Sequence, residues 1–339
     1  MPFRHSRMDR FPLLFLPYTT QIEVFSNMSV IDLFTFSHIS KRSYNLVPLS
    51  KSKNFSVKIC YGRPMSIEIA NTTFQLLEQD QWIRRHDQID FISRHLKTNV
   101  SIHELDNKLF MFWSDRAQGM MAMGMYLLDL FKSKVECFGY CDVQGAMDFI
   151  KEVIKRQQQI KELRMYGDVP DEDITWIMDN LKVTDKLSIS RHGQNFPYKF
   201  QQLPCKLVIY DASWFNLENL LHLGTCKLLR LSGSHLTNAD IAQFIDHWKS
   251  GELPELEYFQ MDYMQRMSEN LPIGELAVFT AFTGSRDKEV NGETVSIFNG
   301  IEIDGNDGRT KALLSFPRDT QKFQFFVCRD TDFVRGRVI

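Results

Sequence analysis

The chain has 339 residues, 43% of them hydrophobic and 24% charged, with a net charge of -2 at pH 7. That much core-forming material excludes a disordered chain, and so small a net charge excludes a field that gathers nucleic acid or anionic membrane from a distance. The length suits two domains or one elongated array.

The N-terminal "MPFRHSRMDRFPLLFLP" puts basic residues before an apolar patch, but two prolines interrupt it and no small-residue cleavage site follows, so it does not read as a signal peptide. From Phe11 to Leu49, 20 of 39 residues are hydrophobic, a richer share than in the whole chain. A segment this small has too little volume to hide them all. Their periodicity predicts short helices: Ile22, Phe25 and Met28 on the first, Ile31, Phe34 and Ser37 to His38 on the second, and a third from Ser40 to Val47. The surplus calls either for a second chain or for a position as helical cap on the rest of this one. Lys41, Arg42, Lys51, Lys53, Lys58 and Arg63 form one basic patch, read as a solvated surface.

Between residues 51 and 133, "NFSVKIC", "MSIEIA", "TTFQLLEQ" and "KLFMFW" read as short strands separated by turns. The run "GMMAMGMYLLDLF" is too short to span a bilayer and contains Asp129. It predicts a buried helix whose Met120, Met121, Met123 and Met125 fill core space.

From 134 to 270, strand-like runs recur: "KVECFGY", "KELRMYG", "DKLSISR", "CKLVIYD", "CKLLRLS" and "LEYFQMD". Taking Val135, Leu163, Leu187, Leu207, Leu228 and Leu256 as equivalent gives steps of 28, 24, 20, 21 and 28 residues, the spacing of leucine-rich repeats. Helical stripes fall between several of them. Met147, Ile150 and Ile154 make one; Ile174, Ile177, Met178 and Leu181 make another after Asp171; Trp214, Leu217 and Leu221 follow a cap at Ser213. The clearest is "LTNADIAQFIDHWKSG", with Thr237 as N-cap, Asp240 three residues on, Ile241, Phe244, Ile245 and Trp248 on one face, and Gly251 as stop. Between the runs at 185 and 205 no helix is expected. Units this small bury their apolar faces only by stacking into an array, although an ordinary α/β domain with irregular crossovers fits the same runs.

Over 271 to 339, "ETVSIFNGIEID", "GNDGRTKALLSF" and "KFQFFVCR" read as a closing antiparallel sheet with a hairpin at Asn306-Asp307-Gly308. Asp304 and Asp307 lack the further carboxylates of a calcium loop. The six cysteines follow no framework, which suits a reducing compartment, the cytoplasm or nucleus. Cys137, Cys141, His222 and Cys226 do not match a zinc knuckle, so no metal or other cofactor is expected. Nucleophile elbow, phosphate loop, dinucleotide fingerprint and zinc-protease helix are all missing, and His247 reads as structural. No catalytic residue is assigned.

Within the N-terminal segment, Leu16-Pro17, Glu23-Val24, Asp32-Leu33 and Ser40-Lys41-Arg42 stand in an order that resembles an F-box. Residues 205 to 262, with Trp214 before a leucine helix and the L-T-N-x-D-I-x-x-F-x-x-H-W run, resemble the type 2 F-box associated domain of nematode F-box proteins, and "NGIEIDGNDGRTKALLSF" resembles that family's closing segment. The resemblance implies an F-box at 8-50, a connecting β-rich region at 51-133, an irregular leucine-rich-repeat-like βα array at 134-270 and a closing β segment at 271-339. It also implies a substrate-recognition adaptor that docks a Skp-type protein, and through it a cullin-RING ligase, by Leu16, Pro17, Ile22, Val24, Met28, Leu33 and Phe34. The target protein is left open, and neither nucleic acid nor membrane is expected as a partner. Ser29-Val30 stands where the family often has Asp-Pro, which implies a second F-box helix without its cap and rigid turn. The remaining readings are a repeat-based interaction module uncoupled from a ligase and a small hydrolase or transferase.

Overall fold

The structure is a computed structural model, and it describes residues 13–50, 55–78, 87–92, 97–141, 145–190, 196, 198–200, 203–263, 280–315 and 322–328. Residues 1–12, with the segment weighed as a leader, and Lys51 and Lys53 of the basic patch lie outside them. The fold is mixed α/β, N-terminal helices followed by sheet, and divides into two compact units, Met1–Glu136 with Val143–Gly145 and Cys137–Asp142 with Ala146–Ile339.

The first unit opens with a 3-10 turn at Leu13–Phe15 and helices α1 (Tyr18–Asn27), α2 (Val30–Ser37) and α3 (Lys41–Leu46). Pro17 precedes α1 with a φ of -52°, already helical in that angle and with no N–H to leave unpaired. The expected loss of a cap on α2 is corrected by the geometry. Ser29 Oγ accepts from the Asp32 amide at 3.0 Å and the Asp32 carboxylate accepts from the Ser29 amide at 3.2 Å, a complete capping box in which serine replaces the aspartate and Val30 is buried. Ser40 caps α3 in turn.

Strands β1 (Ser56–Tyr61), β2 (Met65–Ile69) and β3 (Thr72–Glu78) form an antiparallel meander. The hairpin of β4 (Asp87–Ile92) and β5 (Lys97–Leu105) leads to β6 (Lys108–Trp113), which returns parallel to β3. Neither β4 nor β5 is expected from the sequence, because "KTNVSIHEL" has no clean apolar alternation. The long helix α4 (Arg116–Phe131) packs on β2, β3 and β6. Eleven of its 16 residues are buried, the all-round burial of a core helix, and Met120, Met123 and Met125 are among them. Gly119 permits its close approach: a Cβ there would collide with the Trp113 ring.

The second unit runs from β7 (Lys134–Cys141, from Cys137 on) through α5 (Ala146–Arg156), β8 (Gln159–Tyr166), α6 (Asp171–Asn180), β9 (Lys182–Ser190), β10 (Lys206–Tyr210), α7 (Leu217–Leu221), β11 (Leu228–Ser234) and α8 (Asn238–Lys249) to β12 (Tyr258–Tyr263). All six strands are parallel neighbours in chain order. Phe138, Leu163, Leu187, Leu207, Leu229 and Phe259 pair across them in register, and all are buried. Three of the expected equivalents are therefore shifted. Leu228 and Leu229 are both fully buried, so hydrophobicity alone could not choose between them.

The third helical stripe is also corrected. Asn216, not Ser213, caps α7, its side chain accepting from the Asn219 amide at 3.1 Å; Trp214 lies before the helix, and Leu220 is its buried residue. Between β9 and β10, among the described residues, aromatic side chains supply cover: Phe196 and Phe200 pack on Trp214 at 5.1 and 6.2 Å between ring centres. Helix α8 follows its sequence closely. Thr237 and Asp240 form a capping box, Ile241, Phe244, Ile245 and Trp248 are buried, and Gly251 leaves the helix with a φ of +85°. Finally β13 (Thr280–Val290), β14 (Glu293–Asp304), β15 (Lys311–Ser315) and β16 (Lys322–Cys328) form an antiparallel run that joins β12 through β16.

Candidate functional site

Two surfaces carry side chains that the fold itself does not use up. The first lies on the N-terminal helices. Gln21, buried inside α1, donates from Nε2 to the carbonyls of Leu14 at 3.2 Å and Leu16 at 3.1 Å, which fixes the turn entering the helix. With that turn fixed, Phe15 is 82% and Tyr18 61% exposed, and Ile39 at the exit of α2 is 70% exposed. These are the three most exposed large hydrophobic residues among the described ones. Arg42 of α3 donates to the Leu14 carbonyl at 2.8 Å and holds its guanidinium 5.8 Å from the Phe15 ring centre.

The residues expected to contact an adaptor divide. Pro17 is exposed, and Leu16, Ile22, Val24 and Met28 keep partial exposure. Leu33 and Phe34 are 0% and 1% exposed and offer no surface to a second chain. The reason for Phe34 is visible: its ring lies 5.3 Å from Phe74 of β3 and 6.0 Å from Tyr126 of α4, so this face of α2 belongs to its own unit's core. The same anchorage includes Ser37, whose hydroxyl is 2.6 Å from Tyr126 Oη, and His38, whose Nδ1–H donates to the Phe34 carbonyl at 2.9 Å. Burial pulls the His38 pKa down, partly opposed by that bond, and keeps the ring neutral at pH 7. Sequence periodicity missed Phe15, Tyr18 and Ile39 because it scores residues on a stripe, and these three stand at helix entrances and exits. The signal available was the proline and serine caps beside them.

The second surface is the strand face of the parallel sheet that points away from the helices. On β8, Arg164 grips Glu162 through two bonds, 3.0 and 2.9 Å, and Lys186 of β9 stands 3.8 Å from the same carboxylate. Burial pushes the Glu162 pKa up, but the hydrogen bonds and charge of Arg164, with smaller help from a Cys137 hydrogen bond and the Lys186 charge, outweigh it and hold the carboxyl below its ordinary value. Farther along, Lys206 and Arg230 both pair with Glu293 of β14. The β13–β14 hairpin lies over this end of the face. Val290, Val295 and Ile297 pack with Leu228, Tyr258 and Phe326, Lys288 pairs with Glu257 at 3.2 Å, and Asn291 donates to Asp185 at 2.7 Å. The other end is left with Tyr166 and Tyr210, 37% and 45% exposed, above a floor in which Ser188 and Val208 are buried.

Groups weighed for chemistry have structural places. His247 Nε2 lies 3.1 Å from the Leu221 carbonyl and ties α8 to α7. Asp307 accepts from the amides of Arg309 and Thr310 and the Thr310 hydroxyl, which closes the turn before β15. Burial pushes the Cys226 thiol up to about 12, so it stays protonated and inert. Among the described residues no group of three or more His, Cys, Asp or Glu side chains is placed to hold a metal, and no helix is long and apolar enough to cross a membrane.

Comparison with known proteins bears on both surfaces. The F-box domain family matches residues 13–55, which include Phe15, Tyr18 and Ile39. The F-box associated family matches residues 193–261, from β10 to β12. The chain is also similar to the Skn-1 dependent zygotic transcript 15 protein of Caenorhabditis elegans, 23% identical over 266 residues that cover 72% of this chain and 76% of the relative. No solved structure matches it.

Proposed function

This chain is an F-box protein with an F-box associated domain, and from that we propose that it is the substrate-recognition subunit of a Skp-cullin-F-box ubiquitin ligase. The observation that carries the reading is the exposure of Phe15, Tyr18 and Ile39 inside the F-box match, flanked by the partly exposed Leu16, Pro17, Ile22, Val24 and Met28. Large apolar side chains clustered on so small a segment supply the few anchors on which most contact energy rests. The adaptor contact is accordingly assigned to those eight residues and not to Leu33 or Phe34.

In this role the chain performs no bond chemistry. It holds a target protein beside a charged ubiquitin carrier, and catalysis is the rise in effective concentration of the target's lysines. Neither family that matches is an enzyme family. The parallel βα steps of the second unit, read as rungs of a leucine-rich-repeat-like array over 134-270 and closed by the β segment at 271-339, form the target-binding part, and the β-rich region at 51-133 connects it to an F-box at 8-50. The six cysteines, all free thiols, support a place of action in the cytoplasm or nucleus.

The test is co-purification with a Skp-type adaptor. Phe15→Asp or Tyr18→Asp removes an anchor without touching the core, so affinity falls by about thirtyfold or more while circular dichroism is unchanged. Equal adaptor affinity in both variants would overturn the proposal and leave an interaction module uncoupled from a ligase.

A further inference from the structure

We propose that the end of the strand face left open by the β13–β14 hairpin is a docking groove for an extended acidic segment of a partner protein, which seats an apolar side chain between Tyr166 and Tyr210. The proposal deepens the adaptor reading, naming a target-binding surface and its chemistry. It stands on three observations.

The first is register. Tyr210 pairs with Ser190, and Tyr166 follows Met165, the partner of Ile189, so the two tyrosines flank Ser190 with one strand between them. Two strand spacings put their backbones about 10 Å apart. A side chain in van der Waals contact with both rings needs them about 7 to 8 Å apart, a separation reached by a slight lean of each ring. Serine, the small residue of the three, leaves the slot open at its base.

The second is contrast within one face. Leu228, Tyr258 and Phe326, apolar residues of the same face farther along, are sealed by the hairpin, whereas Tyr166 and Tyr210 keep 37% and 45% of their surface. Exposed aromatics on a flat, otherwise polar face are the composition of a contact surface.

The third is charge. From β8 to β11 the face carries the cations Arg164, Lys186, Lys206 and Arg230 against the carboxylates Glu162, Glu293 and Asp185, the last bonded to Asn291 of the hairpin, which leaves one positive charge in excess. The side chains of Arg164 and Lys186 are 44% and 34% exposed and lie on the open side. Asp168 and Asp211 follow the tyrosines in the chain, and Asp262 lies across on β12 beside Ser232, so the partner's acid belongs on the Arg164 and Lys186 side of the slot. Arg164 is two residues before Tyr166 on one strand, about 7 Å away. An extended partner spans that distance in two residues, which sets its motif as an apolar residue and an Asp or Glu two positions apart.

The experiment pans a displayed library of random dodecapeptides against the full chain. The expected result is a consensus with that spacing. A consensus peptide then binds Tyr166→Ala and Tyr210→Ala about tenfold more weakly, Tyr210→Phe as well as the parent, and Arg164→Gln with a shallower dependence on salt. No consensus, a basic consensus, or a peptide indifferent to the tyrosine variants overturns the groove. Adaptor co-purification separates the two ideas: the groove fails alone if no consensus emerges or the tyrosine variants keep the peptide while the Phe15 test succeeds, and the ligase reading fails alone if the Phe15 test fails while the consensus and its tyrosine dependence hold.

Discussion

The N-terminal helices and the strand face of the second unit are open to solvent in opposite ways. Around α1 to α3 large apolar groups are exposed, and Phe15 has the Arg42 guanidinium 5.8 Å from its ring centre. On the strand face the long charged side chains are tied into ion pairs, and Leu228, Tyr258 and Phe326 are covered by the β13–β14 hairpin while Tyr166 and Tyr210 stay partly exposed. Short helices bury one stripe each, and the large residues at their ends, Phe15, Tyr18 and Ile39, stay exposed among the described residues. A sheet face is continuous, so one hairpin can seal half of it. Apolar anchors give affinity with little selectivity, while a face of paired charges and aromatics discriminates by penalising the wrong partner. One region therefore suits a constant partner and the other a chosen one.

The sharpest way to break this contrast is to show that the N-terminal helices are not anchored where the structure anchors them. Phe34 lies against Phe74 and Tyr126 as Phe244 of α8 lies against Phe259 and Phe325, each pair 5.1 to 6.0 Å between ring centres. Phe34→Ala and Phe244→Ala should each lower stability by about 3 to 5 kcal/mol in urea denaturation followed by circular dichroism. A loss below about 1 kcal/mol for Phe34→Ala would mean that α2 is free of the core and that Phe34 is available to a partner after all.

A finer comparison uses the same device in both places. Helices α2 and α8 each begin with a capping box, Ser29 with Asp32 and Thr237 with Asp240. Ser29→Ala and Thr237→Ala should cost about 1 kcal/mol apiece, and Ser29→Asp should cost almost nothing, since aspartate caps as well as serine. A neutral Ser29→Ala would restore the expectation that this F-box helix starts uncapped.

How much of this was legible in the sequence depends on whether a residue's neighbours in the chain also decide its environment. Helix α8 was readable from Thr237 to Gly251 because cap, stripe and stop are all local. The parallel strands were readable as runs, but their register was not. Leu228 is buried by Val290, Val295 and Ile297 of β13 and β14, more than 60 residues away in the chain, and no local pattern distinguishes a leucine under a helix from one under a distant hairpin. The same limit applies to Phe34, which looks like surplus until β3 and α4 are placed beside it. Tyr166 and Tyr210 each end a strand, which is a common place for an aromatic residue; only the pairing through Ser190 makes them neighbours.

The smallest effect tests the polar side of the contrast. Asp307, fully exposed in the turn between β14 and β15, accepts two amides and a hydroxyl, and these bonds, with the Thr310 hydroxyl foremost, hold its pKa down to about 2. An unperturbed aspartate titrates near 3.9. Because the folded value is the lower one, the stabilisation is fully present above about pH 4 and is lost as pH falls through about 2. Asp307→Asn should therefore differ from the parent at pH 5 and converge with it near pH 2, and the carboxyl carbon resonance should titrate near 2 in the parent and move up in Thr310→Val. An Asp307 that titrates near 4 in the parent would show that the turn leaves its carboxylate to water, and that the second unit satisfies its exposed charges less completely than the distances imply.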